Sequence, residues 1–228
     1  MKTLSLPRPE AILFDFDGIL VDSEPMHHRA FSEVLDPLGM GFTWQVYVES
    51  YMGFDDRDAF RASFRSKGID LDEANLADLV AAKSRAFLDG IRNGVTAYPG
   101  AVSMVESLRT AGRPLALCSG ALLSDIEPIL AQLGIPRCFD VIVSADDVHR
   151  SKPDPESYAL AFRRLSERYA TLLTLPARSF AVEDTPAGIR SAKGAGLRVL
   201  AVTNSYGPGE LSEADWITDS LKNVRVEG

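Results

Sequence analysis

The chain has 228 residues, 46% hydrophobic and 25% charged, an ordinary globular balance that argues against disorder or a fibrous repeat and allows one to two domains. Its 24 Lys and Arg against 32 Asp and Glu leave a formal charge of −8, which removes the basic footprint of a general nucleic-acid binder and obliges any anionic substrate to meet local positive charge or a metal. The two cysteines make no disulfide framework, no run approaches the roughly 18–20 apolar residues of a membrane span, and residues 1–9 lack a signal-peptide apolar stretch, so a soluble cytoplasmic protein is expected.

Residues 11–14 form the first of five short, continuously apolar runs that read as strands covered on both faces; the others are 114–118, 141–143, 180–182 and 199–202. Helical patterns separate the last four runs, the alternation of a parallel sheet with helices on both sides. The first run ends in Asp15-Phe16-Asp17-Gly18. Carboxylates at i and i+2 of an extended strand point to the same side, and Gly18 gives the following turn its freedom in φ. They stand at the C-terminal edge of the sheet, where open α/β sheets bind ligands. Two close anions are costly unless a cation or a proton compensates, which points to a hard metal ion; taken alone, the motif reads first as a solvated turn with capping aspartates.

Between the first run and the second, from Pro25 to Ile91, the periods are helical and no strand is visible. Apolar residues at 76, 79, 80, 87 and 91 form one stripe, and Pro25 suits a first helical position. A helical cap of residues 23–92, inserted into a core of residues 1–22 and 93–228, is the simplest topology; two tandem domains would leave the first run an orphan strand. Lys83 falls on the apolar stripe, four residues from both Leu79 and Phe87. Either its stem snorkels to water or this face looks across a cleft at the acidic site. His27, four residues before Phe31, reads by itself as structural.

The second run passes into Ser119-Gly120, a hydroxyl and a small residue where free N–H groups can approach an anion, although such a pair alone is merely a turn. Cys118 reads as a buried strand residue without reactivity. In Ser151-Lys152-Pro153-Asp154-Pro155 two prolines hold a lysine stiffly, which suits neutralising a phosphoryl group or the aspartates around it. Asp154 is placed to cap a helix with the apolar face Tyr158, Ala161, Phe162 and Leu165, and residues 163–176 predict that this helix runs on until Pro176 stops it. The fourth run ends in Glu183-Asp184-Thr185-Pro186, with Thr185 as N-cap and Pro186 in the first helical turn. One acid there is explained by the helix dipole; a second acidic cluster at a strand end makes a shared Mg²⁺ site the better reading.

Asp15-Phe16-Asp17-Gly18, Ser119, Lys152 and Glu183-Asp184, in that order and each at a strand end, resemble the haloacid dehalogenase superfamily of phosphotransferases over nearly the whole chain. Ser23-Glu24-Pro25-Met26-His27 and the segments around Lys152 and Asp184 further resemble its β-phosphoglucomutase-like branch, which carries a helical cap. The resemblance implies an α/β, Rossmann-like parallel-sheet core. It implies Asp15 as nucleophile, Asp17 as general acid and base, and Mg²⁺ held by Asp15, the Asp17 carbonyl and Asp184, with Glu183 a ligand or a support behind the ligands. Ser119 and Lys152 would hold phosphoryl oxygens beside Gly18 and Gly120, with His27, Gly53, Arg57 and Lys83 as cap-side contacts. The partner would be a small phosphorylated metabolite, with no nucleic acid and no membrane, bound by a monomer or small homo-oligomer.

In the loop after Met52 the mutase-like arginine is expected three residues past Gly53; Asp56 stands there and Arg57 one place later. A phosphatase is therefore favoured over a phosphomutase, with Arg57 left a different route to the cleft. A receiver-type signalling module would place its acceptor Asp downstream of an acidic pair, and a dinucleotide site would need Gly194-Ala195-Gly196 to open a helix instead of following one.

Overall fold

The structure, a computed structural model, describes residues 3–52, 54–92, 94–173 and 175–227. Strands β1 (Leu4–Leu6) and β2 (Ile12–Phe14) are followed by four helices: α1 (Glu24–Leu35), α2 (Trp44–Ser50), α3 (Asp56–Ser66) and α4 (Glu73–Ile91). Then come α5 (Ala101–Thr110), β3 (Leu115–Cys118), α6 (Leu123–Gln132), β4 (Val141–Val143) and α7 (Glu156–Arg168). The chain continues through β5 (Phe180–Glu183), α8 (Pro186–Gly194), β6 (Arg198–Val202), β7 (Trp216–Thr218) and β8 (Val224–Val226).

Six strands pair in the order β4-β3-β2-β5-β6-β7, every pair parallel, and β1 pairs with β8 separately. The strand order reverses at β2, so the crevice beyond its C-terminal end is the place where such sheets bind ligands. All five apolar runs are strands of this sheet. β1, β7 and β8 are not among those runs; each has three residues that include a polar one.

The runs are continuously apolar because each face of the sheet has its own core. Ile12, Phe14, Leu115, Leu117, Val182 and Leu200 pack with Val105, Ile126 and Ile129 of α5 and α6. The alternate residues Leu13, Ala116, Ala181 and Val199 pack with Tyr158, Ala161, Leu165 and Ile189 of α7 and α8. The four helices between β2 and β3 have a third core of Phe31, Leu35, Tyr47, Phe60 and Leu76, whereas Ala30, Phe87 and Ile91 join the sheet's cluster. Side chains of Thr43, Asp55 and Asp72 accept from the backbone N–H groups of Val46, Asp58 and Asn75, starting α2, α3 and α4 where the sequence supplies capping residues.

One expectation is corrected. The helix predicted to continue to Pro176 ends at Arg168, where Tyr169 leaves helical geometry and its N–H closes on the Leu165 carbonyl. The N–H groups of Leu172 and Leu173 then both turn back to the Tyr169 carbonyl, and Tyr169 OH donates to Asp140 Oδ1 at 2.8 Å, a tertiary bond that competes with continued helix. Asp154 does cap α7, its Oδ1 accepting from Glu156 N at 3.0 Å. No helix among the described residues is long and apolar enough to cross a membrane.

Candidate active site

Register brings the strand ends level. Phe14 pairs with Leu117 on one side and Val182 on the other, so Asp15 emerges beside Cys118 and Glu183. Its N–H donates to the Val182 carbonyl at 2.9 Å. The chain then turns through Gly18, whose φ of +78° suits glycine and where a Cβ would stand 1.9 Å from Asp184 Oδ2. Asn204, just past β6, donates to the Gly18 carbonyl at 2.6 Å, and Ser205 Oγ donates to Asp184 Oδ2.

Lys152 reaches into this edge and spends its ammonium protons on Asp15 Oδ1 at 2.7 Å, Glu183 Oε1 at 2.6 Å and the Cys118 carbonyl at 3.2 Å. Burial works against its charge, but Asp15 and Glu183 outweigh it and hold Lys152 above the ordinary lysine range. Glu183, fully buried, also accepts from Tyr158 OH at 2.7 Å, Asp184 N at 3.2 Å and Thr185 Oγ1 at 3.4 Å. Gly188 makes room for it, since a Cβ there would lie 2.0 Å from the carboxylate. Both Glu183 oxygens are thus engaged by the protein, which favours its reading as a support for Lys152. Cys118 is buried, and burial pushes its thiol up, as expected of an unreactive strand residue.

Asp15, Glu183 and Asp184 each present a carboxylate oxygen, all within 4.8 Å of one another. Asp184 Oδ1 is buried with no hydrogen-bond partner among the described residues. Burial first, and then Glu183, push Asp15 up to about 8; burial, Asp15 and Glu183 push Asp184 well above the carboxylate range. An orphaned buried oxygen among repelling carboxylates fits a hard divalent cation, which takes oxygen donors. A stability consequence follows. Asp15 is raised from 3.8 to about 8 in the fold, so its contribution is complete below the lower value and is lost as pH climbs through the higher one. Asp184, Glu24, Asp55 and Asp125 are raised too and act with the same sign. The gain in melting temperature on adding Mg²⁺ should therefore be larger near pH ~8 than near pH ~5. Equal gains at both would separate the cation from these carboxylates.

Asp17 accepts at Oδ1 from Ser23 Oγ and from His27 Nε2 at 3.2 Å, and at Oδ2 from Ser119 Oγ at 3.4 Å. Burial opposes its charge, but His27, the Ser23 hydroxyl and Lys83 together hold it below the usual range. Lys83 Nζ donates to His27 Nδ1 at 2.7 Å; an ammonium cannot accept, so Nδ1 is the acceptor and Nε2 carries the proton toward Asp17. His27 is stacked on Phe87 with ring centroids 4.2 Å apart. Lys83 is wholly buried, paired with Asp56 Oδ1 at 2.8 Å and flanked by the rings of Phe31 and Phe87. Its stem does not snorkel; the helix face looks inward, through His27, at the acidic edge.

Ser119 is buried, its N–H bound to the Val143 carbonyl and its Oγ accepting from Ala121 N at 2.9 Å. Gly120 lines the cavity over Asp15, together with Asp17, His27 and Lys152. Arg57 does not. Its guanidinium donates to the Ala145 carbonyl at 3.0 Å and lines a separate groove with Glu73 and Asp146, so its expected route to the cleft is corrected. One helical position later than Asp56, its side chain leaves on another face. Gly53 lies outside the described residues. Glu24, Tyr47 and Asp56 line the same cavity and were not selected as site residues from sequence. Asn204 and Ser205 were also passed over, although they stand directly past an apolar run, the signal that marked the other strand ends.

A family model described as haloacid dehalogenase-like hydrolase matches residues 12–202. Protein CbbY of Cereibacter sphaeroides is 34% identical over 222 residues, covering 94% of this chain and 94% of that protein. Validoxylamine A 7'-phosphate phosphatase of Streptomyces hygroscopicus subsp. limoneus is 32% identical over 216 residues, covering 93% of this chain and 94% of the other. Crystal structures of CbbY from Rhodobacter sphaeroides, one with phosphate and one, a mutant, with xylulose-(1,5)bisphosphate, align at a TM-score of 0.82 and 31% identity, covering 93% of this chain and 95% of theirs. Since the match runs through every strand that carries the acids and continues past them to the end of β6, the chain belongs to the haloacid dehalogenase-like hydrolases.

Proposed function

We propose that this protein is a Mg²⁺-dependent phosphatase of a phosphorylated carbohydrate, working through a phospho-aspartyl intermediate on Asp15. Residues 1–22 and 93–228 serve as the catalytic core and residues 23–92 as the cap. The observation that carries the reading is the Asp15 carboxylate held by Lys152 beside the partnerless buried oxygen of Asp184. The names of the relatives, a phosphorylated-carbohydrate phosphatase among them, support the substrate class.

Asp15 and Asp184, with the Asp17 carbonyl, would hold the cation, which when bound offsets the charge of phosphoryl oxygens and carboxylates. The free Asp15 oxygen attacks phosphorus and the bond to the leaving alcohol oxygen breaks. Lys152 and Ser119, with backbone N–H groups at Gly120, meet the phosphoryl oxygens. Asp17 gives a proton to the leaving oxygen and then takes one from the water that attacks the intermediate. In the free protein Asp17 is held low and ready as a base; a phosphate dianion arriving beside it raises it toward the acid form by like-charge repulsion. Ser84 Oγ donating to Asp125 Oδ1 at 2.6 Å, and Arg57 reaching the Ala145 carbonyl, join cap helices to the core.

The test is phosphate release from a panel of sugar and polyol phosphates with Mg²⁺, many turnovers per chain being expected. Uptake of about one phosphate per chain would indicate a receiver instead. Asp17→Asn refines it: sugar phosphates should lose roughly 10²–10⁴-fold in kcat and p-nitrophenyl phosphate far less, because a leaving group of low pKa needs little protonation. Equal losses on both would remove the acid role from Asp17.

A further inference from the structure

The cavity over Asp15 has two chemically different ends. At the core end Lys152 is bound to Asp15 and Glu183. At the cap end stand Glu24, Tyr47 and Asp56, with Tyr47 OH donating to Glu24 Oε2. The cap's own buried cation, Lys83, is already committed to Asp56 Oδ1 and His27 Nδ1. Asp56 is 8% exposed, and its other oxygen, Oδ2, is buried without a hydrogen-bond partner among the described residues. A second phosphate at this end would meet the Glu24 carboxylate and a Lys83 whose charge Asp56 already offsets, and an anion brought beside a carboxylate in a desolvated cavity without a free cation is strongly disfavoured. Carboxylates and a tyrosine hydroxyl are instead partners for hydroxyl groups.

We infer that the cap end of this cavity selects the hydroxyl-bearing tail of a phosphate monoester and rejects a second phosphate, with Asp56 as the specificity-determining residue. The inference rests on the phosphatase reading above and narrows it: the substrate is a polyhydroxylated monophosphate, unlike the bisphosphate present in one CbbY crystal structure. Asp56 acts by occupying Lys83, so that the cap end offers an anion no free cation.

The experiment compares the best-hydrolysed sugar monophosphate of a panel with the bisphosphate of the same carbon skeleton, using the wild-type protein and Mg²⁺. The expected kcat/KM preference for the monophosphate is about tenfold or more. In Asp56→Asn, which keeps the shape but removes the counter-charge of Lys83, that preference should shrink by about fivefold or more. Binding of the same pair to the Asp15→Asn protein, followed by calorimetry, should show the same order without turnover. A wild-type preference below about tenfold, or a preference unchanged in Asp56→Asn, overturns the inference while the phosphatase stands. Failure to hydrolyse any monophosphate, bisphosphate or p-nitrophenyl phosphate overturns the phosphatase reading itself, and this inference with it.

Discussion

Replacing Asp15 with asparagine is expected to lower phosphate release by roughly 10⁴-fold or more while leaving the protein folded. The amide keeps the shape and can still accept from Lys152, but it cannot form the acyl phosphate. The stability side of the change is as informative as the activity side. Burial and Glu183 push Asp15 up to about 8, so its ionised form is a burden in the metal-free fold. A neutral amide at this position carries no such burden, and the variant's melting temperature in chelator near pH ~8 should match or exceed that of the wild type. Lost turnover with retained stability identifies a nucleophile. Substantial Mg²⁺-dependent hydrolysis by Asp15→Asn would take Asp15 out of its role.

Lys152→Met should damage both activity and stability. Methionine fills the space of the stem, but Glu183, fully buried, is left with Tyr158, Thr185 and a backbone N–H and no cation. Removing one partner of a buried pair costs about 3–5 kcal/mol, because the other charge stays behind uncompensated. For a chain of this size that is a fall in melting temperature of roughly 10 °C. Loss of the phosphoryl-facing ammonium should lower kcat by a further factor of about 10²–10³. The double variant Lys152→Met/Glu183→Gln separates the two effects. Melting temperature should recover in large part, since the stranded charge is gone, while activity stays low. A double variant as unstable as the single one would show that Lys152 stabilises the fold through its packing on Tyr158 and not through Glu183.

The parts of the site visible in the linear chain are those whose geometry is local. Asp15 and Asp17 share a side because strand residues alternate, and Asp184 precedes a helix because Thr185 and Pro186 begin one. Lys152 stands out because the prolines around it forbid helix. Glu183, expected as a ligand or a support behind the ligands, lies in the carboxylate cluster with Asp15 and Asp184, and only the tertiary structure shows the Tyr158 hydroxyl and the Lys152 ammonium that occupy one of its oxygens. Arg57, one place past the position where the resemblance expects an arginine, has no route to the cleft, because one step along a helix turns a side chain through about a hundred degrees and its guanidinium meets the Ala145 carbonyl instead. The α7 terminus was overrun because a tyrosine's bond to Asp140, 29 residues away in sequence, outweighs local helix preference.

By itself, the sequence determined the alternating α/β core, the helical insertion after the first acidic strand end, and the acids and lysine gathered at the sheet's C-terminal edge. Each follows from periodicity, capping or proline restriction over a few neighbouring residues. The tertiary structure alone decided that Lys83 is buried against His27 and Asp56, that Glu183 anchors Lys152, and that Arg57 turns to Ala145. These contacts join residues on different elements, as many as 88 positions apart for Arg57 and Ala145. Which charges neutralise one another there depends on register and helix packing, which no local spacing encodes.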